Sequence, residues 1–87
     1  MKHASHGQII NRLKRTEGHL RKVITMIEEG RPCVDLAQQL HAVEHAVLAA
    51  KKTLIHDHID HCLATPPPDA AAHGTLIDEL RQITKYL

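Results

Sequence analysis

The sequence predicts an all-α protein of three helices, and three observations carry that prediction. Aliphatic side chains recur at spacings of three, four and seven residues along most of the chain. The apolar content lies in Leu, Ile, Val and Ala, with no Trp, no Phe and one Tyr, a composition suited to helices packed on one another. From Cys33 to Ala64 no Gly or Pro interrupts the run, so the middle of the chain reads as one long helix. The 87 residues form a single domain, residues 1–87, near the size at which one core is only marginally stabilising. A small aliphatic chain of this kind is expected to reach stability as an oligomer.

The first helix is expected over about residues 5–29, with Ser5 as N-cap and Gly30 as a left-handed stop. Ile9, Leu13, Leu20, Ile24 and Ile27 form its apolar stripe. Gly18 interrupts it at a cost of about 1 kcal/mol relative to Ala, and reads as a sign of close approach by another helix. "GRPC" is a turn, and Pro32 suits the first position of a second helix over about residues 32–64. There Leu36, Leu40, Val43, Val47, Ala50 and Leu54 alternate by four and three, a heptad-like seam. The prolines at 66–68 end that helix. "DAAAHG" reads as a linker, and Leu76, Ile77, Leu80, Ile83 and Leu87 mark a third, short amphipathic helix over about residues 75–86.

Charge is uneven although the net is only +1. Residues 1–31 carry seven basic side chains against three acids, and the remainder four against seven. The first segment is therefore a candidate for meeting an anion, nucleic acid included, with an ordinary solvated helix face as the plain alternative. No stretch approaches the 18 or so consecutive apolar residues of a membrane span, and "MKHASHGQ" has no apolar core of a signal peptide. Two cysteines 29 residues apart make no disulfide scaffold, which points to a reducing cytoplasm and to thiols kept for metal or reactivity. No Ser/His/Asp or paired-carboxylate set is present, so an enzyme is not expected.

The densest chemistry is "HDHIDHC", residues 56–62. On a helix His58 and Cys62 project from one face and can hold two corners of a metal polyhedron. Transition metals in proteins usually take three or four ligands. Cys33 is the obvious third, yet it precedes His58 by 25 residues, about 38 Å along a continuous helix. One straight helix cannot close that gap. Two long helices packed antiparallel can, if Cys33 of one chain meets His58 and Cys62 of the other, and symmetry then makes the site twice.

With these residues in place, "NRLKRTEGHL", "CVDLAQQLHAV" and "LIHDHIDHC" together resemble the CsoR/RcnR family of bacterial metal-sensing and formaldehyde-sensing transcriptional repressors, over nearly the whole chain. The resemblance implies a three-helix protomer, an antiparallel dimer and a disc-like tetramer, a dimer of dimers. The apo form would bind double-stranded operator DNA and metal would release it. Cys33, His58 and Cys62 match the family's three ligand positions, and Glu79 falls near its outer-shell carboxylate. His3 and His6, on an N-terminal arm, match the place from which nickel and cobalt sensors draw a fourth ligand. Arg12 matches a basic residue implicated in DNA contact, and Lys14 and Arg15 also lie off the apolar stripe. Where the family has a second DNA-contacting Arg on the long helix this chain has Ala49, so Lys51 and Lys52 are the candidates to substitute. Pro32 stands where copper sensors often have Tyr.

The donor set leaves the metal open. Two thiolates and an imidazole suit Cu(I), and an added arm nitrogen suits Ni(II), Co(II) or, in vitro, Zn(II). The arm histidines and the missing Tyr favour nickel or cobalt. His56 and His61 lie off the ligand face and read as solvated, His41 and His45 as core-edge or interfacial, His19 as structural, and His73 as part of the linker. Two other readings compete: a formaldehyde sensor using Cys33 as nucleophile, which usually lacks the second thiol, and a metal buffer without DNA binding.

Overall fold

The structure, a computed structural model, describes residues 5–64 and 67–87. Three helices follow one another: α1 (His6–Glu28), α2 (Cys33–Ala64) and α3 (Ala70–Thr84). Helices α1 and α2 form an antiparallel hairpin, and α3 folds back on the C-terminal part of α2. The body is long and thin, 59 × 23 × 15 Å, because the 32 residues of α2 set its length.

The turn after α1 closes as its sequence suggests. Gly30 takes a positive φ of 72°, its N–H donates to the Ile27 carbonyl, and the Arg31 N–H reaches back to Met26. This double closure satisfies carbonyls that the helix end would leave open. The Pro32 carbonyl then accepts from the Leu36 N–H to start α2. Ser5 occupies the N-cap position of α1, but its side chain makes no capping hydrogen bond and its backbone is helical rather than extended. Gly18 has nothing within 4 Å of where a Cβ would stand, so no helix of this chain approaches it closely.

The core is narrower than the stripe read from the sequence. On α1 the residues turned to α2 are Ile9, Thr16, Val23 and Met26, with Val23 only 1% exposed. Leu13, Leu20, Ile24 and Ile27 stay exposed. The sequence reading chose the residues with larger side chains, whereas the hairpin buries the face that carries Thr16. That hydroxyl donates to the Arg12 carbonyl at 2.9 Å, which makes its burial tolerable. On α2, Val43, Ala50, Ile55 and Cys62 are buried. A short hydrogen bond between His19 Nε2 and Gln39 Oε1, 2.6 Å, ties α1 to α2 and gives His19 the structural role expected of it.

Helix α3 begins five residues before the expected Thr75. "AAAHG" is helix, not linker, because Asp69 caps it: its Oδ1 accepts from the Ala72 N–H at 2.7 Å and its backbone is extended. Ala is the strongest helix former, so three in a row after an Asp cap propagate readily, and His73 and Gly74 are carried along. No residue of α3 is buried in the single chain, so the cap is a large part of what fixes its start. Asp69→Ala should weaken α3 by about 0.5–2 kcal/mol, seen as amide exchange across Ala70–Thr84 faster by roughly two- to thirtyfold. Exchange at Val23 should be unchanged.

Candidate metal centre

The far end of α2 gathers the candidate ligands that one chain can bring together. His58 and Cys62 stand one turn apart, with Cys62 Sγ 3.5 Å from His58 Nε2. Two donors that share a tetrahedral ion at zinc-like bond lengths stand about 3.6 Å apart, so the pair is spaced for a common metal. Helix α3 brings a carboxylate to the same nitrogen: Glu79 Oε2 lies 3.8 Å from His58 Nε2. Because the hairpin is antiparallel, the start of α1 meets the end of α2. His6 therefore lines a cavity of about 560 Å³ with Lys51, Leu54, Ile55, His58, Ile83 and Tyr86.

Cys62 is buried, 7% exposed, while Cys33 is exposed at the opposite end of α2. Among the described residues of one chain, no three His, Cys, Asp or Glu side chains gather into a metal-holding group. His3 lies outside the described residues. Of the three proposed core ligands, then, one chain brings two together and keeps the third a helix-length away. Ile83 and Tyr86 wall the cavity beside Glu79; the sequence marks Ile83 only as part of an apolar stripe and gives neither residue a place at the site. Their spacing from Glu79, four and seven residues, is the signal that puts them on one helix face.

The basic residues divide between two sides of the hairpin. Arg12 and Arg15 line a groove of about 600 Å³ with Thr16, His19, His45, Ala46 and Ala49. Lys14 lies on a separate hollow beside Ile10, Leu13 and Glu17. Lys51 faces the cavity that contains His58 and does not join the arginines; Lys52 is exposed. His41 and His45 are exposed rather than at the edge of this chain's core, and His56 is exposed as expected.

The profile of the "Metal-sensitive transcriptional repressor" family matches residues 5–86 of this chain. The chain belongs to that family. CsoR, the copper-sensing transcriptional repressor of Bacillus subtilis, is 39% identical over 85 residues, covering 90% of this chain and 80% of that protein. The CsoR of Mycobacterium ulcerans is 35% identical over 77 residues, 88% of this chain. This chain spans 65% of the length of that mycobacterial relative. Among solved structures, the nickel-responsive transcriptional regulator InrS superposes with a TM-score of 0.71 at 34% identity, covering 98% of this chain and 91% of InrS. The all-α, three-helix class is thereby the CsoR/RcnR fold. The two CsoR relatives are transcriptional repressors and InrS is a transcriptional regulator; none is named as an enzyme. No helix among the described residues is long and apolar enough to cross a membrane.

Burial pushes the Cys62 thiol above the ordinary thiol range, and the nearby Glu79 carboxylate pushes it the same way. Both causes favour the protonated thiol, which cannot ligate, so metal uptake at Cys62 must displace a proton. Apparent metal affinity should therefore rise with pH and go on rising beyond the ordinary thiol range of about pH 8–9, because the shift is upward. Glu79→Gln removes the second cause and should move the midpoint of that rise to lower pH. Thiolate-to-metal absorption of reduced protein titrated with Ni(II) at each pH measures both.

Proposed function

We propose that this protein is a transition-metal-responsive transcriptional repressor, bound to operator DNA as the apo form and released when metal joins Cys33 of one chain to His58 and Cys62 of another. The observation that carries the reading is the periodicity of the exposed seam of α2. Cys33, Leu40, Val47 and Leu54 recur every seven residues, and the next position in the series is His61, flanked by His58 and Cys62. Leu40, Val47 and Leu54 are 44%, 47% and 43% exposed in the single chain although apolar. A seven-residue apolar repeat is the pattern by which helices pair along their length. Two such helices crossed antiparallel with Val47 at the two-fold set Leu40 against Leu54 and Cys33 against residue 61. The pairing that covers the apolar seam is thus the pairing that completes the ligand set, at both ends of the dimer.

Within that arrangement Cys33, His58 and Cys62 would hold the ion, and Glu79 would stand just outside it. The ion would supply the link between chains that apo protein lacks. Everything else would fall to protein groups: Cys62 and Cys33 would give up protons, His58 would present Nε2, and the long helices would be held in one register. The relatives named above sense copper and nickel. His6 in the cavity of His58 supports a nitrogen-richer set, and on that ground nickel or cobalt is proposed ahead of Cu(I). A dimer of dimers is proposed as the working form, since Leu13, Leu20, Ile24 and Ile27 of α1 remain exposed and need cover.

Operator binding is assigned to the groove of Arg12 and Arg15. An oligomer repeats these guanidiniums, and repeated phosphate contacts bring a steep salt dependence. With no Trp or Phe and one Tyr in the chain, stacking on unpaired bases has little to work with, and duplex DNA is the better fit. The coupling needed for release is about 1–3 kcal/mol or more.

Cys33→Ala should leave apo protein bound to its operator and remove release by Ni(II), Co(II) and Cu(I) alike, read by fluorescence anisotropy of labelled duplex. Arg12→Ala with Arg15→Ala should do the reverse, weakening operator binding and its salt slope while metal affinity holds. Metal release persisting in Cys33→Ala would sink the ligand assignment. Unaltered DNA affinity in the arginine variant would sink the groove.

A further inference from the structure

The middle of α2 carries a second histidine pair, remote from both Cys33 and His58. "HAVEH", residues 41–45, has the H-x-x-E-H spacing in which two histidines one turn apart share a metal ion. Their rings lie 4.3 Å apart between centroids at an interplanar angle of 60°. Both residues are exposed, so neither imidazole is held in a packed core. Glu44 Oε1 stands 3.9 Å from His41 Nδ1 and puts a negative charge beside the pair. The helix beneath is unbroken, which fixes the spacing of the two backbone positions before any ligand arrives.

We propose that His41 and His45 form a second divalent-cation site, a two-imidazole chelate that takes Zn(II) or Ni(II) independently of Cys33, His58 and Cys62. The donor chemistry sets the class of ion. Imidazoles without a thiolate suit borderline divalent metals and disfavour Cu(I). Among the described residues no third His, Cys, Asp or Glu completes the set, so the remaining corners fall to water or another small oxygen donor. The site is accordingly weaker than a three-ligand site and fills after it, and with no positioned base or nucleophile it is not catalytic.

Its place on the helix matters for what it can influence. At about 100° per residue, the pair lies roughly 130° around α2 from the Leu40–Val47–Leu54 seam, so antiparallel pairing leaves it accessible. His45 also lines the groove of Arg12, Arg15 and His19. A cation held there adds positive charge at the rim of that groove, a sign opposite to release.

The test is Zn(II) titration of the reduced, full-length Cys33→Ala chain, followed by the imidazole NMR resonances of each histidine. His41 and His45 rings should shift together along one binding curve. His41→Gln and His45→Gln, each alone, should weaken that curve by about tenfold or more, the scale of losses at metal sites. Both positions are exposed and Gln is a good helix former, so circular dichroism should be unchanged. Rings of His41 and His45 that stay unmoved while Zn(II) saturates the other histidines would overturn the proposal. So would Gln variants that bind as the parent does.

Discussion

Everything distinctive about this molecule depends on α2 being straight and unbroken. Twenty-nine residues of helix separate Cys33 from Cys62, which at 1.5 Å each is about 43 Å. No rearrangement of side chains spans that distance, and α2 has no Gly or Pro at which to kink. A single chain therefore offers part of the proposed metal site at one end and a lone thiol at the other. Completing it is a question about how two chains are arranged, which is why a ligand set this far apart suits a sensor: metal binding and quaternary structure become one equilibrium.

The same helix governs stability. The buried apolar set of one chain is small, Ile9, Val23, Met26, Val43, Ala50, Ile55 and Cys62. Apolar residues of similar size, Leu13, Leu20, Ile24, Ile27, Leu40, Val47 and Leu54, are exposed. Full burial of a side chain of that size contributes about 1.5–3 kcal/mol, against a net stability of about 5–15 kcal/mol for a whole domain. An association that covered them would be comparable in weight to folding. Helix α3, with no buried residue and held by the Asp69 cap, is the element freest to open locally, and it carries Glu79, Ile83 and Tyr86 beside His58.

Much of this was legible in the sequence because helical spacing and helix breakers speak plainly. The unbroken run from Cys33, the Gly30 stop and the one-turn pairing of His58 with Cys62 needed only period and punctuation. Two things were not legible. The face of α1 that packs inside the chain carries Thr16, whereas its bulkier stripe faces out; amphipathic pattern shows that a stripe is buried somewhere, not against what. The start of α3 was misplaced because Ala-rich segments have no apolar period to read, so the Asp69 cap was the only signal. At the candidate site, the approach of Glu79 to His58 followed from the family resemblance, while the Ile83 and Tyr86 wall, and the separation of Lys51 from Arg12 and Arg15, needed the packing of the helices.

The central claim, that one metal site is built from two chains, is tested most directly by complementation. Cys33→Ala protein and His58→Ala protein each lack a complete set. Denatured together in equal amounts and refolded, they form mixed dimers in which one of the two sites has all three ligands, so tight metal binding should return to about a quarter of the unaltered stoichiometry. Refolded separately, each should show none. Tight binding absent from the co-refolded mixture, with mixed dimers verified by mass spectrometry, would contradict the account and return the site to a single chain.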